Sequence, residues 1–308
     1  MNKTVTHILT LCTLIIAGLL PCEAQTPLTM PVISPAIPSQ IKFAGQTIDL
    51  DPVDRFERFD RELTAMMFTH GTTLLTLKRA NKLFPVMAPI LKQEGVPTDL
   101  LYLACVESHL DPTAVSPARA AGLWQFMPAS AREYGLEVSD DVDERFDVEK
   151  STRAACRFLK SLYRRYGKWE SVAAAYNGGP ARITTELDSQ MVDTAFDLYL
   201  TQETSRYIFR VIAMKEILEN PRRYGYIIPE GSLYQPVEYR KVTVDTPISS
   251  WSKWAKENGT TYLTLRRHNP WIRSRSMKNK RGKTYTVLIP TQASELRSTG
   301  LTDVYKID

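Results

Sequence analysis

Acid–base chemistry in this chain is most readily supplied by Glu107, which closes an unbroken apolar run from Leu100 to Val106. Pro97-Thr98-Asp99 ahead of the run is a helix-start signature, with Thr98 or Asp99 as the cap. A helix that is apolar all round is usually buried inside a larger domain. A carboxylate at its C-terminal end then loses solvent and meets the negative end of the helix dipole. Both effects disfavour the charged form and raise the pKa. A carboxyl group held protonated near neutral pH is what a general acid needs. Taken alone, the helix fits at least as well a glutamate that simply reaches solvent at a helix end.

After a polar, Pro-punctuated loop comes Gly122-Leu123-Trp124-Gln125-Phe126-Met127-Pro128. Gly122 allows close backbone approach. Gln125 can both donate and accept, which suits an N-acetyl sugar. Trp124 and Phe126 read as core. A helix from Trp169 to Tyr176 ends on Asn177-Gly178-Gly179-Pro180, a C-cap sequence that explains itself structurally. Tyr207, on a helix from Leu198 to Leu218, reads from its setting as a core aromatic.

The ordered blocks point further than any one of them. Glu107-Ser108, Gly122 to Pro128, Ala175-Tyr176-Asn177-Gly178-Gly179 and Glu203-Thr204-Ser205-Arg206-Tyr207-Ile208 together resemble the soluble lytic transglycosylase family of lysozyme-like peptidoglycan enzymes. Trp124 before Gln125 is similar to the membrane-bound type D branch. The resemblance covers residues 80 to 220. It implies a mainly α, lysozyme-like catalytic domain that acts on peptidoglycan glycan strands, with no metal or other cofactor. It implies Glu107 as the catalytic group, with Ser108 orienting it and Tyr207 hydrogen-bonded near it. Gln125, Met127, Tyr176 and Asn177 would line the sugar groove.

Ordinary glycosidases need two carboxyl groups. The neighbour of Glu107, Asp111, stands where the family usually has Asn and reads as a turn cap. The family's answer is that the substrate supplies the nucleophile, so one glutamate serves as acid and then as base. Two other readings remain: a hydrolytic muramidase completed by Asp111 or water, and a non-catalytic peptidoglycan-binding protein.

The elements that must position these residues are amphipathic helices. Phe56, Phe59, Leu63 and Met67 recur at helical spacing; Thr72–Leu83 and Phe84–Glu94 continue the pattern, with Gly95 as a stop. Val138 to Phe146 is acidic but lacks EF-hand spacing, so it reads as a solvated loop. The chain has 308 residues, 43% hydrophobic and 24% charged, as expected of a globular protein. Its net charge of +5 suits an anionic polymer. No zinc spacing, phosphate loop or nucleic-acid motif accompanies that charge.

Residues 1–24 read as a signal peptide cleaved after Ala24, which implies an exported protein of the periplasm or cell envelope. A lipoprotein at Cys22 is the second reading, and with it peripheral membrane association. Residues 25–53 read as a loosely ordered Pro-rich spacer, 54–225 as the catalytic domain and 226–238 as a linker. Residues 239–292 pattern as strand, helix, helix, strand. That small α+β unit resembles a LysM carbohydrate-binding module, although Val244 stands where Gly is usual and a basic insertion, Arg273 to Lys283, reads as solvated. Residues 293–308 are a tail. Cys105 and Cys156 read as buried thiols rather than a disulfide, and the protein as a monomer.

Overall fold

The computed structural model describes residues 33–229 and 231–295. The signal peptide, the lipidation alternative and most of the tail lie outside the described residues. Among the described residues no helix is long and apolar enough to cross a membrane.

The first element of the described residues corrects the spacer reading. Gln40–Phe43 (β1) and Gln46–Asp49 (β2) pair antiparallel through a turn at Ala44-Gly45, and Ile41, Phe43, Ile48 and Leu50 are buried. Alternation of polar and apolar residues drives the pairing. Asp99 also departs from expectation. Its carboxylate accepts the backbone N–H of Ala44 at 2.7 Å, and neither it nor Thr98 caps the helix that follows.

The helical domain comprises Val53–Phe68 (α1), His70–Gln93 (α2), Leu101–Ser108 (α3), Pro128–Glu133 (α4), Val148–Tyr166 (α5), Trp169–Gly178 (α6), Pro180–Gln190 (α7) and Gln202–Glu219 (α8). The two stretches from Thr72 to Glu94 form one helix that runs through Pro85 and Pro89. Burial of Leu83, Phe84, Met87, Ala88, Ile90 and Leu91 outweighs the two missing backbone donors. Helix α8 is the hub. It packs against α1, α3 and α6, while α5 bridges α2 and α6. Short α3 sits at the centre, with Leu101 to Cys105 all buried, and His109 ends it in the left-handed conformation at φ 50°. Free, buried Cys105 and Cys156 fill core positions; burial pushes both thiols up, Cys156 to about 12.

The C-terminal unit has the expected βααβ order: Tyr239–Val244 (β3), Trp251–Glu257 (α9), Tyr262–His268 (α10) and Tyr285–Pro290 (β4), then the short Gln292–Glu295 (α11). Strands β3 and β4 pair antiparallel from Tyr239↔Pro290 to Val244↔Tyr285. The connection to it is not slack: Tyr226 and Leu233 are buried, and Tyr226 donates its hydroxyl to the Met67 carbonyl at 2.9 Å.

Candidate active site

Helix α3 delivers Glu107 to the point where three other segments meet. From α8, the buried Tyr207 donates its hydroxyl to Glu107 Oε1 at 2.6 Å. From α6, Tyr176 donates to the Trp124 carbonyl at 2.5 Å, and its ring packs on Phe158 at 5.2 Å between centroids. From the loop after α3, the Leu123 carbonyl lies 2.9 Å from the Ser108 hydroxyl. Close approach of α6 to α8 depends on Gly178, where a Cβ would meet Thr204 Cγ2 at 2.8 Å.

Glu107 is half-buried and its carboxyl is pushed up to about 7. Burial is the main cause. The Tyr207 hydrogen bond opposes it, and the nearby negative charge of exposed Glu203 adds to it. Tyr207 and Tyr176 are driven well above the usual phenol range, by burial first and by the Glu107 charge second, so both stay protonated hydrogen-bond donors. About half of the molecules therefore carry the Glu107 proton near neutral pH, with one neutral donor fixing the orientation of the carboxyl.

The loop from Ala114 to Met127 carries the next set. Trp124 and Phe126 are core, as expected, and the Trp124 indole N–H donates to Thr152 Oγ1 at 3.0 Å. Gln125 is partly exposed and sits at φ 46°, a left-handed conformation that costs a non-glycine residue about 1 kcal/mol or more. Its side-chain amide donates to the Gly122 carbonyl at 2.8 Å, leaving its carbonyl oxygen open. Met127 is 44% exposed at the mouth of α4. Asn177, half-buried at the end of α6, makes no side-chain hydrogen bond among the described residues. All three are at least partly exposed.

Ser108 departs from the orienting role that the resemblance implies. Ser108 is buried, and its hydroxyl bonds to the Ala104 and Leu123 carbonyls at 3.0 and 2.9 Å, so it ties the loop to α3 rather than orienting the Glu107 carboxyl. Tyr207 is buried behind Glu107 and hydrogen-bonds its carboxyl, the contact that the resemblance implies. Asp111 caps its turn by accepting from Thr113 N and Oγ1 at 2.9 and 2.7 Å. Burial raises its pKa, but the Thr113 bonds and the Arg79 charge outweigh that and keep it below the ordinary value.

The acidic loop also needs correction. Asp143, Glu144 and Arg145 are buried, Asp143 pairs with Arg145 at 2.7 Å, and Glu144 accepts the Glu137 amide at 2.7 Å. It is a packed ion-pair segment. The signal was present in the sequence as Val142 and Phe146 bracketing the charges. Glu203 was visible within its block, but its electrostatic reach to Glu107 exists only across the fold. A cavity of about 670 Å³, lined in part by Arg132, Glu137, Asp140 and Lys280, includes none of the residues gathered around Glu107.

Residues 86–195 match the transglycosylase SLT domain, and residues 240–293 match the soluble lytic transglycosylase C-terminal LysM-like domain. The membrane-bound lytic murein transglycosylase D of Escherichia coli (strain K12) is 30% identical over 246 residues, 78% of this chain and 53% of that protein. The membrane-bound lytic murein transglycosylase C of Haemophilus ducreyi is 27% identical over 188 residues, 53% of this chain and 51% of that protein. Among solved structures, the 70 kDa soluble lytic transglycosylase of Escherichia coli aligns at a TM-score of 0.36 and 22% identity, covering 44% of this chain and 24% of that one. The chain spans about half the length of the curated relatives it matches. It carries a transglycosylase SLT domain followed by a LysM-like domain of the kind that accompanies it.

Proposed function

We propose that the protein is a peptidoglycan lytic transglycosylase in which Glu107 acts first as acid and then as base. The observation that carries this reading is the half-buried Glu107 carboxyl held up to about 7, with a neutral phenol as its hydrogen-bonding partner. The SLT and LysM-like matches support the substrate class. In the first half of the reaction, Glu107 gives its proton to the oxygen that links N-acetylmuramic acid to N-acetylglucosamine, and the bond from that oxygen to C1 breaks. The carboxylate then takes the proton of the muramic C6 hydroxyl as that oxygen bonds to C1. A 1,6-anhydro ring closes, and the glutamate recovers its proton. No water is consumed. Gln125, Met127, Tyr176 and Asn177 line the sugar groove; Tyr207 holds the carboxyl, and Ser108 and the Tyr176 hydroxyl hold the loop in register.

Asp111 is committed to its turn and held ionised, which speaks against its serving as a second catalytic carboxylate. Purified wall digested with the protein is expected to yield muropeptides lacking one water relative to hydrolysis products. Glu107→Gln is expected to cut the rate by at least about 10³-fold while wall binding persists. Products carrying the extra water would replace this reading with a hydrolytic one, and unchanged cleavage by Glu107→Gln would remove Glu107 from the chemistry.

A further inference from the structure

The loop that carries Gln125 has little structure of its own. It is closed by short pairings, Val115↔Ala121 and Ala121↔Phe126, and by the Gly122 amide bonding to the Ala114 carbonyl at 2.9 Å. Its outer support is Arg145. One guanidinium nitrogen of Arg145 donates to the carbonyls of Arg119 and Phe126 at 2.8 and 3.0 Å, while the other two reach the Asp143 carboxylate at 2.9 and 2.7 Å. The pair is almost fully buried, with side chains 9% and 8% exposed. Contact is so close that a Cβ on Gly122 would meet the Arg145 carbonyl oxygen at 1.9 Å.

This clamp is held from the far side by the C-terminal unit. Val142 pairs with Ile272, the Asp143 amide donates to the Trp271 carbonyl at 2.9 Å, and the Arg273 amide donates to the Asp141 carbonyl at 2.9 Å. Ser274 bonds to Asp141 at 2.9 Å, Lys283 pairs with Glu137 at 2.7 Å, and the Arg273 guanidinium lies 4.3 Å over the Phe146 ring. The basic insertion expected to be solvated is therefore a docking element. Ala121, Val142 and Phe146 share one buried cluster with Trp251, Leu265, Trp271 and Ile272. Ala121, a residue of the Gln125 loop itself, thus belongs to the core of the C-terminal unit.

We propose that the LysM-like unit is a structural part of the active site: it positions the Gln125 loop through the Asp143–Arg145 clamp. A domain serving only as a wall tether would need neither the shared core nor the strand-like pairing across the seam. Asp143 and Arg145 are positioning residues, and so, one step further out, is Ile272. The inference rests on the proposed function only for its kinetic consequence.

Amide hydrogen exchange on the full chain tests it, with Ala121 and Phe126 as reporters and the amides of α3 as internal reference. Arg145→Lys keeps the charge but cannot span Asp143 and two carbonyls. Ile272→Ala loosens the seam from the side of the C-terminal unit, and Ile272→Val serves if the alanine variant fails to fold. Exchange at Ala121 and Phe126 is expected to rise at least about tenfold with α3 unchanged. KM for glycan strands rises several-fold, while the pH dependence set by Glu107 stays where it was. Unchanged exchange at the reporters in the Ile272 variant would overturn the role of the C-terminal unit. Uniform acceleration that includes α3 would overturn it too, since that is mere destabilisation. If the exchange result holds but the parent protein cleaves no glycan, the functional reading fails and the positioning stands.

Discussion

Two carboxylates, one buried and one half-buried, lean on helix α8, and their fates differ. Glu62, 2% exposed in its side chain, accepts from Arg206 at 2.5 Å, from Arg61 at 3.0 Å and from Arg210 at 3.1 Å. Glu107 accepts from Tyr207 at 2.6 Å. Arg206 and Tyr207 are adjacent in sequence, so one turn of one helix serves both sites. Burial pushes both carboxyls up. At Glu62 the three guanidinium hydrogen bonds outweigh it and hold the group below the ordinary value. At Glu107 a neutral phenol cannot, and the group stays at about 7. Charge partners make a buried carboxylate structural; a neutral partner leaves it poised to exchange a proton.

The comparison can be broken first through stability, where the two glutamates must behave with opposite sign. Because the Glu62 pKa is depressed, its contribution is present above about 4.5 and fades as pH falls through its folded value. Glu62→Gln should cost about 3 kcal/mol at pH 7, the low end of the range for broken buried pairs because the arginines reach solvent, and little in acid. Because the Glu107 pKa is raised, its ionisation costs the fold stability as pH climbs from about 4.5 to about 7. Glu107→Gln should therefore match the parent near pH 4 and exceed it at pH 8, by no more than about 3 kcal/mol. Urea unfolding across pH measures both differences, and curves of the same sign would refute the contrast.

Next comes Tyr207→Phe. Losing a hydrogen bond to a charged group costs about 1.5–3 kcal/mol, or roughly 10–100-fold in rate. Since that bond lowers the Glu107 pKa, the alkaline limb of the pH–rate profile should move upward. A rate loss with the limb unmoved would mean that the phenol acts elsewhere. The smallest effect is expected at Glu203. Its charge helps hold Glu107 up, so Glu203→Gln should shift the same limb to lower pH and leave most of the rate. Complete loss of cleavage would instead make Glu203 the second carboxylate of a hydrolase.

The parts of this picture that were legible in the sequence were those with local causes. The apolar run ending on Glu107, the core character of Trp124 and Phe126, and the βααβ order of the C-terminal unit follow from periodicity and block order along the chain. What depends on partners far away did not show. Asp143-Glu144-Arg145 looked like solvated charge until Trp271 and Ile272 covered it from more than a hundred residues downstream. The basic insertion looked solvated for the converse reason, its partners Glu137 and Asp141 being in the other domain. Ser108 has the right neighbour in sequence, yet its hydroxyl is taken by backbone carbonyls. The hairpin at 40–49 was hidden by the prolines around it, although its own residues alternate.

The account turns on the proton at Glu107, and that proton can be followed directly. Carbon-detected NMR of glutamate side-chain carboxyls, assigned with Glu107→Gln, gives its titration in the free protein. The midpoint expected is about 7, far above the ordinary value of 4.5. A midpoint near 4.5 would mean that the group is ionised at working pH, and Glu107 would have no proton to give.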